Sequence, residues 1–181
     1  MTTTLKYLIT FFTISLVSFT TNACVVGDDE LRKQDDWRWD SKSQNLIYAG
    51  NSGAISPAGG EPNFRGSYNY VLYYVPDGCS YNGEGQDNWR WDSKSQNLIF
   101  AGNSGAISPA GGEPNFRGSY NYVLFSSQYG SVNGSLKRYQ TGWKWDKKSQ
   151  NLIYSENSGE ISPAGGKPDF NGSYNYALAY K

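Results

Sequence analysis

The sequence predicts an all-β fold made of three like units closed around a shared axis. Three observations carry that expectation. The first is repetition: Trp37–Leu72 and Trp89–Leu124 differ at one position, Tyr48 against Phe100, and a looser third copy runs from Trp143 to Leu178. The block starts fall at 37, 89 and 143, a spacing at which each block is one supersecondary unit that cannot bury its apolar face alone. The second is the near-absence of helical periodicity in a chain interrupted throughout by glycine, proline, asparagine and serine. The third is strand-like alternation, as in Trp37-Arg38-Trp39 and Tyr68–Tyr74.

Met1–Ala23 has one cation, Lys6, an apolar run over Tyr7–Phe19, and the small residues Thr21-Asn22-Ala23 at its end. This is the pattern of a secretory signal, too short to read as a membrane span. Residues 24–36 are expected to form an N-terminal arm, with a helical turn within Asp28–Gln34. The repeat domain follows over 37–181, as units 37–88, 89–142 and 143–181.

Within the first unit four strands are expected. Trp37–Trp39 is the first. A turn at Ser41–Gln44 leads to the second, Asn45–Ala49. Gly50-Asn51-Ser52-Gly53 is a tight turn of residues that tolerate positive φ. Ala54–Ser56 is the third strand, and Pro57–Gly66 is a loop stiffened by Pro57 and Pro62. Ser67–Tyr74 is the fourth, with Tyr68, Tyr70 and Leu72 on one face and Asn69, Val71 and Tyr73 on the other. The linkers Val75–Asn88 and Phe125–Gly142 read as surface loops. Four strands in each of three units point to a β-trefoil with pseudo-threefold symmetry: a six-stranded barrel capped by three hairpins, closed so that no long sheet edge is exposed. A propeller needs more blades, and a linear solenoid needs capping segments.

The formal net charge is +0, and loss of Lys6 with the leader shifts it to about −1, so no field gathers nucleic acid or anionic membrane. Cys24 and Cys79 are the only cysteines and read as one disulfide from the arm to the first linker; lipidation at Cys24 is the rival reading. Sequons stand at Asn133-Gly134-Ser135 and Asn171-Gly172-Ser173.

With no histidine, no metal-ligand cluster and no nucleophile–base pair in the sequence, neither an enzyme nor a cofactor is expected. Asp40, Asp92 and Asp146 recur once per unit, on separated positions, and read as turn or cap groups. Binding a sugar needs backbone that can be approached closely, amide side chains for paired hydroxyls, and an aromatic face. The Pro-Ala-Gly-Gly-x-Pro-Asn/Asp-Phe loop carries those groups. The candidate sugar-binding residues are Ser56, Gly59, Gly60, Glu61 and Asn63, then Ser108, Gly111, Gly112, Glu113 and Asn115, then Ser162, Gly165, Gly166 and Asp169. Phe64, Phe116 and Phe170 are read either as stacking faces or as core, and the paired tryptophans as core.

The motifs Trp-Arg-Trp-Asp (37–40), Ser52-Gly53-Ala54-Ile55-Ser56-Pro57-Ala58-Gly59-Gly60, Asn63 and Tyr70-Val71-Leu72 resemble the mussel-type β-trefoil lectins (mytilectins). More distantly the block is similar to the ricin B-type lectins. The resemblance covers all three units. It implies a trefoil, and sugar binding by the Pro-x-Gly-Gly loop at Pro57, Gly59, Gly60 and Asn63 and their equivalents. The chain departs from the mussel type in having serine where histidine precedes the proline.

The function expected from these readings is a secreted lectin. It would bind glycans or glycoproteins on cell surfaces through repeat-related weak sites, and near-identical units would allow exchange between copies into a homo-oligomer. A secreted trefoil acting through protein contacts, as a protease inhibitor or a matrix or adhesion component, is the other reading.

Overall fold

The computed structural model describes residues 24–129 and 138–181. The expected leader and the sequon at Asn133 lie outside the described residues. Two three-residue 3-10 turns, Asp28–Glu30 and Ser127–Tyr129, are the helical structure among them. The strands are β1 (Cys24–Val26), β2 (Arg32–Trp39), β3 (Leu46–Tyr48), β4 (Tyr70–Val75), β5 (Cys79–Tyr81), β6 (Gln86–Trp91), β7 (Leu98–Phe100), β8 (Asn121–Ser126), β9 (Tyr139–Trp145), β10 (Leu152–Tyr154) and β11 (Tyr176–Tyr180). The fold is all-β, and β2–β4 with β6–β11 form one nearly closed, barrel-like sheet.

Each repeat contributes a three-stranded antiparallel unit. In the first, β2 pairs with β3 (Trp37↔Tyr48, Trp39↔Leu46) and with β4 (Gln34↔Leu72, Trp37↔Tyr70). The register shifts between Gln34 and Trp37, and Asp36 sits there at φ 63°. Its N–H is taken by the Asn69 side chain at 2.8 Å. Asn88 and Gly142 occupy the equivalent positions and donate to Asn121 and Asn175. A bulge at this point re-aims the strand, and only residues that accept the left-handed region hold it without strain.

The first strand therefore starts at Arg32, inside the segment expected to be an arm. Alternation at Arg32–Gln34 is hidden in the sequence because the bulge breaks the period of two. The expected third strand, Ala54–Ser56, does not form. Its polar groups go instead to the next repeat: Ile55 N–H donates to the Ser95 carbonyl (3.1 Å) and the Ile55 carbonyl accepts from Asn97 Nδ2 (2.9 Å). The same exchange links Ile107 to Asn151 and Ile161 to Asn45.

The repeats close in a ring at both ends. At one end the last strands pair in turn: Tyr73↔Val123, Phe125↔Ala177 and Ala179↔Val71. At the other, isolated bridges join Ile47↔Asn97, Ile99↔Asn151 and Asn45↔Ile153. Between them lies a core with equal contributions from each repeat: Trp37, Leu46, Tyr70, Leu72 and their counterparts. A phenol of one repeat donates to a glutamine of another, Tyr122 to Gln34, Tyr176 to Gln86 and Tyr70 to Gln140.

A second apolar cluster seals one side. Val26 and Leu31 from the arm cover Tyr73, Val75, Val123, Phe125 and Ala179. β1 is held there by parallel pairing with β5 and by the Cys24–Cys79 disulfide. No helix of the described residues is long and apolar enough to cross a membrane.

Two outcomes are expected. Cys79→Ser removes a link across 55 residues and lowers the unfolding free energy in urea by about 3–4 kcal/mol. Burial pushes the phenols of Tyr70, Tyr122 and Tyr176 well above the ordinary value of 10.0. A raised folded-state pKa supplies stability that is complete below the unfolded value and is lost as pH rises past it. Urea midpoints should hold steady to about pH 9 and fall progressively above pH 10, in step with a late tyrosinate absorbance.

Candidate functional site

The surface loop of each repeat is built on a buried aspartate. Asp40 is fully buried and accepts four hydrogen bonds. Ser43 Oγ (2.5 Å) and Ser56 Oγ (2.6 Å) donate to Oδ2; the N–H groups of Lys42 (3.2 Å) and Asn63 (2.8 Å) donate to Oδ1. One carboxylate thus ties the turn after the first strand to both ends of the Pro57–Gly60 loop. Asp92 and Asp146 repeat the arrangement with Ser95, Ser108 and Asn115, and with Ser149, Ser162 and Asp169. A lysine closes the loop from outside. Lys42 Nζ donates to the carbonyls of Gly59 (2.7 Å) and Glu61 (2.9 Å), and Lys94 and Lys148 do the same in their repeats.

This frame divides the candidate sugar residues. Ser56, Ser108 and Ser162 are each 1% exposed, with their hydroxyls committed to the aspartates. They stand behind the loop and present no face to a ligand, which removes them from the sugar-contact set. Gly59 and Gly60, Gly111 and Gly112, and Gly165 and Gly166 are exposed. Their role also differs from the close approach expected: a Cβ on Gly59 or Gly60 would meet nothing within 4 Å, and glycine is required there by φ of +91° and +67°.

Glu61, Asn63, Glu113 and Asn115 are exposed on the loop, whereas Asp169 is half-buried. Asn63 Oδ1 is spent on the Arg65 N–H (3.0 Å), which leaves Nδ2 as its outward donor. Asp169 keeps that turn through the Asn171 N–H (3.0 Å) but has no amide donor to offer. Phe64, Phe116 and Phe170 are half-buried and belong to neither apolar cluster, so they do not plug the barrel.

The grooves between repeats were not foreseen. Trp37, Trp89 and Trp143 are fully buried, as expected for core, but Trp39, Trp91 and Trp145 sit half-exposed at the rim. The pleat puts both tryptophans of Trp-x-Trp on one face. Only the packing of the neighbouring repeat separates them. Between repeats one and two, Gln34, Tyr48 and Asn51 face Trp91, Gly118 and Tyr120 across a cavity of about 240 Å³. The Tyr48 ring meets Trp91 edge-on at 6.4 Å and 80°. Phe100–Trp145 and Tyr154–Trp39 repeat that contact at 6.4 and 6.5 Å.

Each rim indole is held by its own repeat. Trp91 Nε1 donates to Gln96 Oε1 (3.1 Å), and the Trp91 N–H donates to Ser119 Oγ (2.7 Å). Burial, with the Asp36 carboxylate nearby, pushes the Tyr48 phenol up, so it remains a protonated donor at neutral pH. The groove therefore combines aromatic surface with amide and phenol hydrogen-bonding groups. Among the described residues no group of three or more His, Cys, Asp or Glu side chains is placed to hold a metal ion.

No family model, curated protein or solved structure matches this chain.

Asp92→Asn puts an amide N–H against groups that all donate. It should cost about 2–4 kcal/mol of stability in urea. It should also speed hydrogen exchange at the Asn115 amide relative to Asn63, which localises the loss to the second loop.

Proposed function

We propose that the chain is a secreted, non-enzymatic carbohydrate-binding protein that meets glycans through repeat-related small sites. The observation that carries this reading is the half-exposed tryptophan in the inter-repeat groove, Trp91 opposite Tyr48 with Gln34 and Asn51 beside it. An indole face takes the C–H surface of a sugar ring, and amide groups match paired hydroxyls. The exposed Glu61, Asn63, Glu113 and Asn115 of the proline-glycine loops offer further groups for hydroxyls. Single contacts of this kind are weak, about 0.5–1.5 kcal/mol for an aromatic face. Linked sites on one rigid body gain roughly 10²–10⁴-fold on a multivalent glycan surface.

The β-trefoil reading belongs with this proposal. Six longer strands (β2, β4, β6, β8, β9 and β11) stand for its barrel, and the short β3, β7 and β10 for its cap. The repeats here join through mutual pairing of their last strands. The disulfide suits an oxidising compartment and so agrees with export.

A glycan array probed with the full chain, followed by competition with the free sugar, tests the reading. Binding that the free sugar displaces is expected. Replacing the three rim tryptophans together, Trp39→Ala, Trp91→Ala and Trp145→Ala, should weaken it at least about tenfold, in line with the loss of the aromatic faces, and Asn63→Ala with Asn115→Ala should weaken it further. Circular dichroism confirms that the variants fold. A chain that binds no glycan and agglutinates no cells rejects the proposal.

A further inference from the structure

The three junctions between repeats are alike except at one side chain. Where the last strands meet, each junction sets a ring from one repeat against a tyrosine of the next. Tyr74 stacks on Tyr120 at 4.1 Å and 14°, and Tyr180 stacks on Tyr68 at 4.0 Å and 10°. Both pairs are near-parallel and in contact. At the junction of repeats two and three the equivalent residue is Ser126, opposite Tyr176 in the register where Tyr74 faces Tyr122 and Tyr180 faces Tyr70. Among the described residues no aromatic ring stacks on Tyr174 there. It is 60% exposed, against 45% for the stacked Tyr68.

The bare ring keeps the edge-on contact of its covered counterparts. Tyr174 meets Tyr176 edge-on at 6.0 Å and 79°; Tyr68–Tyr70 and Tyr120–Tyr122 show the same contact at 6.0 Å and 86° and at 6.1 Å and 78°. What the serine leaves is a cleft of about 400 Å³, lined by Ser126, Gln128, Tyr174, Glu84, Gln86 and Asp87. That volume falls within the roughly 300–1,000 Å³ of small-molecule sites; the groove between repeats one and two is smaller, at about 240 Å³. The lining changes sign as well. Glu84 occupies the repeat position of Arg32 and Arg138, so an acceptor replaces a cation beside the open ring.

We infer that the junction of repeats two and three is the dominant ligand site of the molecule, and that it takes one pyranose ring laid on Tyr174 where the other junctions place Tyr74 and Tyr180. The self-filled junctions display the occupant's shape: a six-membered ring, parallel to the tyrosine, about 4 Å from it. A pyranose presents a C–H face of that size to an aromatic ring. Its hydroxyls point to the edge, where the exposed Glu84 carboxylate accepts and the Gln128 amide both donates and accepts, while Asp87 is held by Asn88 and Asn121. An aromatic side chain from a protein partner would fit the stack but offers nothing to the Glu84 carboxylate and the Gln128 amide beside it. The ligand class rests on the carbohydrate reading above; the open slot rests on the coordinates of the three junctions alone.

The experiment uses the full chain on an array of neutral, N-acetylated and amino-bearing oligosaccharides, with calorimetric titration of the strongest binder. The wild-type chain should bind one equivalent more tightly than the rest, above the weaker repeat-related sites. Ser126→Tyr installs the ring found at the other two junctions. It should fold with unchanged or higher thermal stability and lose affinity by at least about tenfold. Tyr174→Ala should lose it similarly. The reciprocal Tyr74→Ser should open the first junction and raise the number of tight equivalents from one to two. If wild type binds glycans and folded Ser126→Tyr binds them equally well, the inference falls while the carbohydrate reading stands. If wild type binds none, both fall. If wild type instead self-associates and Ser126→Tyr abolishes that, the slot takes a ring from a second copy and the inference is overturned.

Discussion

A carboxylate with four donors, repeated three times, organises this molecule's surface. Asp40, Asp92 and Asp146 are fully buried, and each draws two serine hydroxyls and two backbone N–H groups onto one side chain. A charge in that position is tolerable because every acceptor site is used. The geometry it imposes runs outward. The proline-glycine loop is pinned at both ends, the lysine clamp closes over it, and the exposed Glu61 and Asn63 acquire fixed positions. The loop's shape is thus set from beneath, by residues that never reach solvent.

The second constraint is cyclic. Each repeat passes polar groups to the next at both ends of the barrel, through the isoleucine–asparagine exchange at one and the last-strand triangle at the other. The tyrosine–glutamine hydrogen bonds follow the same circuit. No repeat satisfies all of its backbone groups by itself. A core shared equally by three units, with Trp37, Leu46, Tyr70 and Leu72 from the first, is the packing counterpart of that exchange.

Much of this was legible in the amino acids. Alternation and the near-absence of helical periodicity announced an all-β fold; the paired tryptophans read as core, where Trp37 lies; and the lone cysteine pair announced the disulfide. What escaped has physical causes. The strand over Arg32–Gln34 is masked by a bulge that costs it the period of two. Ala54–Ser56 has strand composition, but its partners belong to another repeat, so local sequence says nothing of where its hydrogen bonds go. Ser56 looked like a ligand contact because a serine in a glycine loop resembles one; only burial against Asp40 shows otherwise. The rim tryptophans share a strand face with the core ones, and their exposure is decided by the neighbouring repeat.

Threefold repetition also provides redundancy. With two tyrosine-stacked seams intact, the molecule can surrender packing at the third without opening its barrel, since strand pairing there persists through Ser126↔Tyr176 and Phe125↔Ala177. A single-copy core has no such slack: a ring deleted from it leaves a void that nothing else compensates. Symmetry here acts as insurance, and the seam it frees becomes a place where specificity can be rewritten one residue at a time.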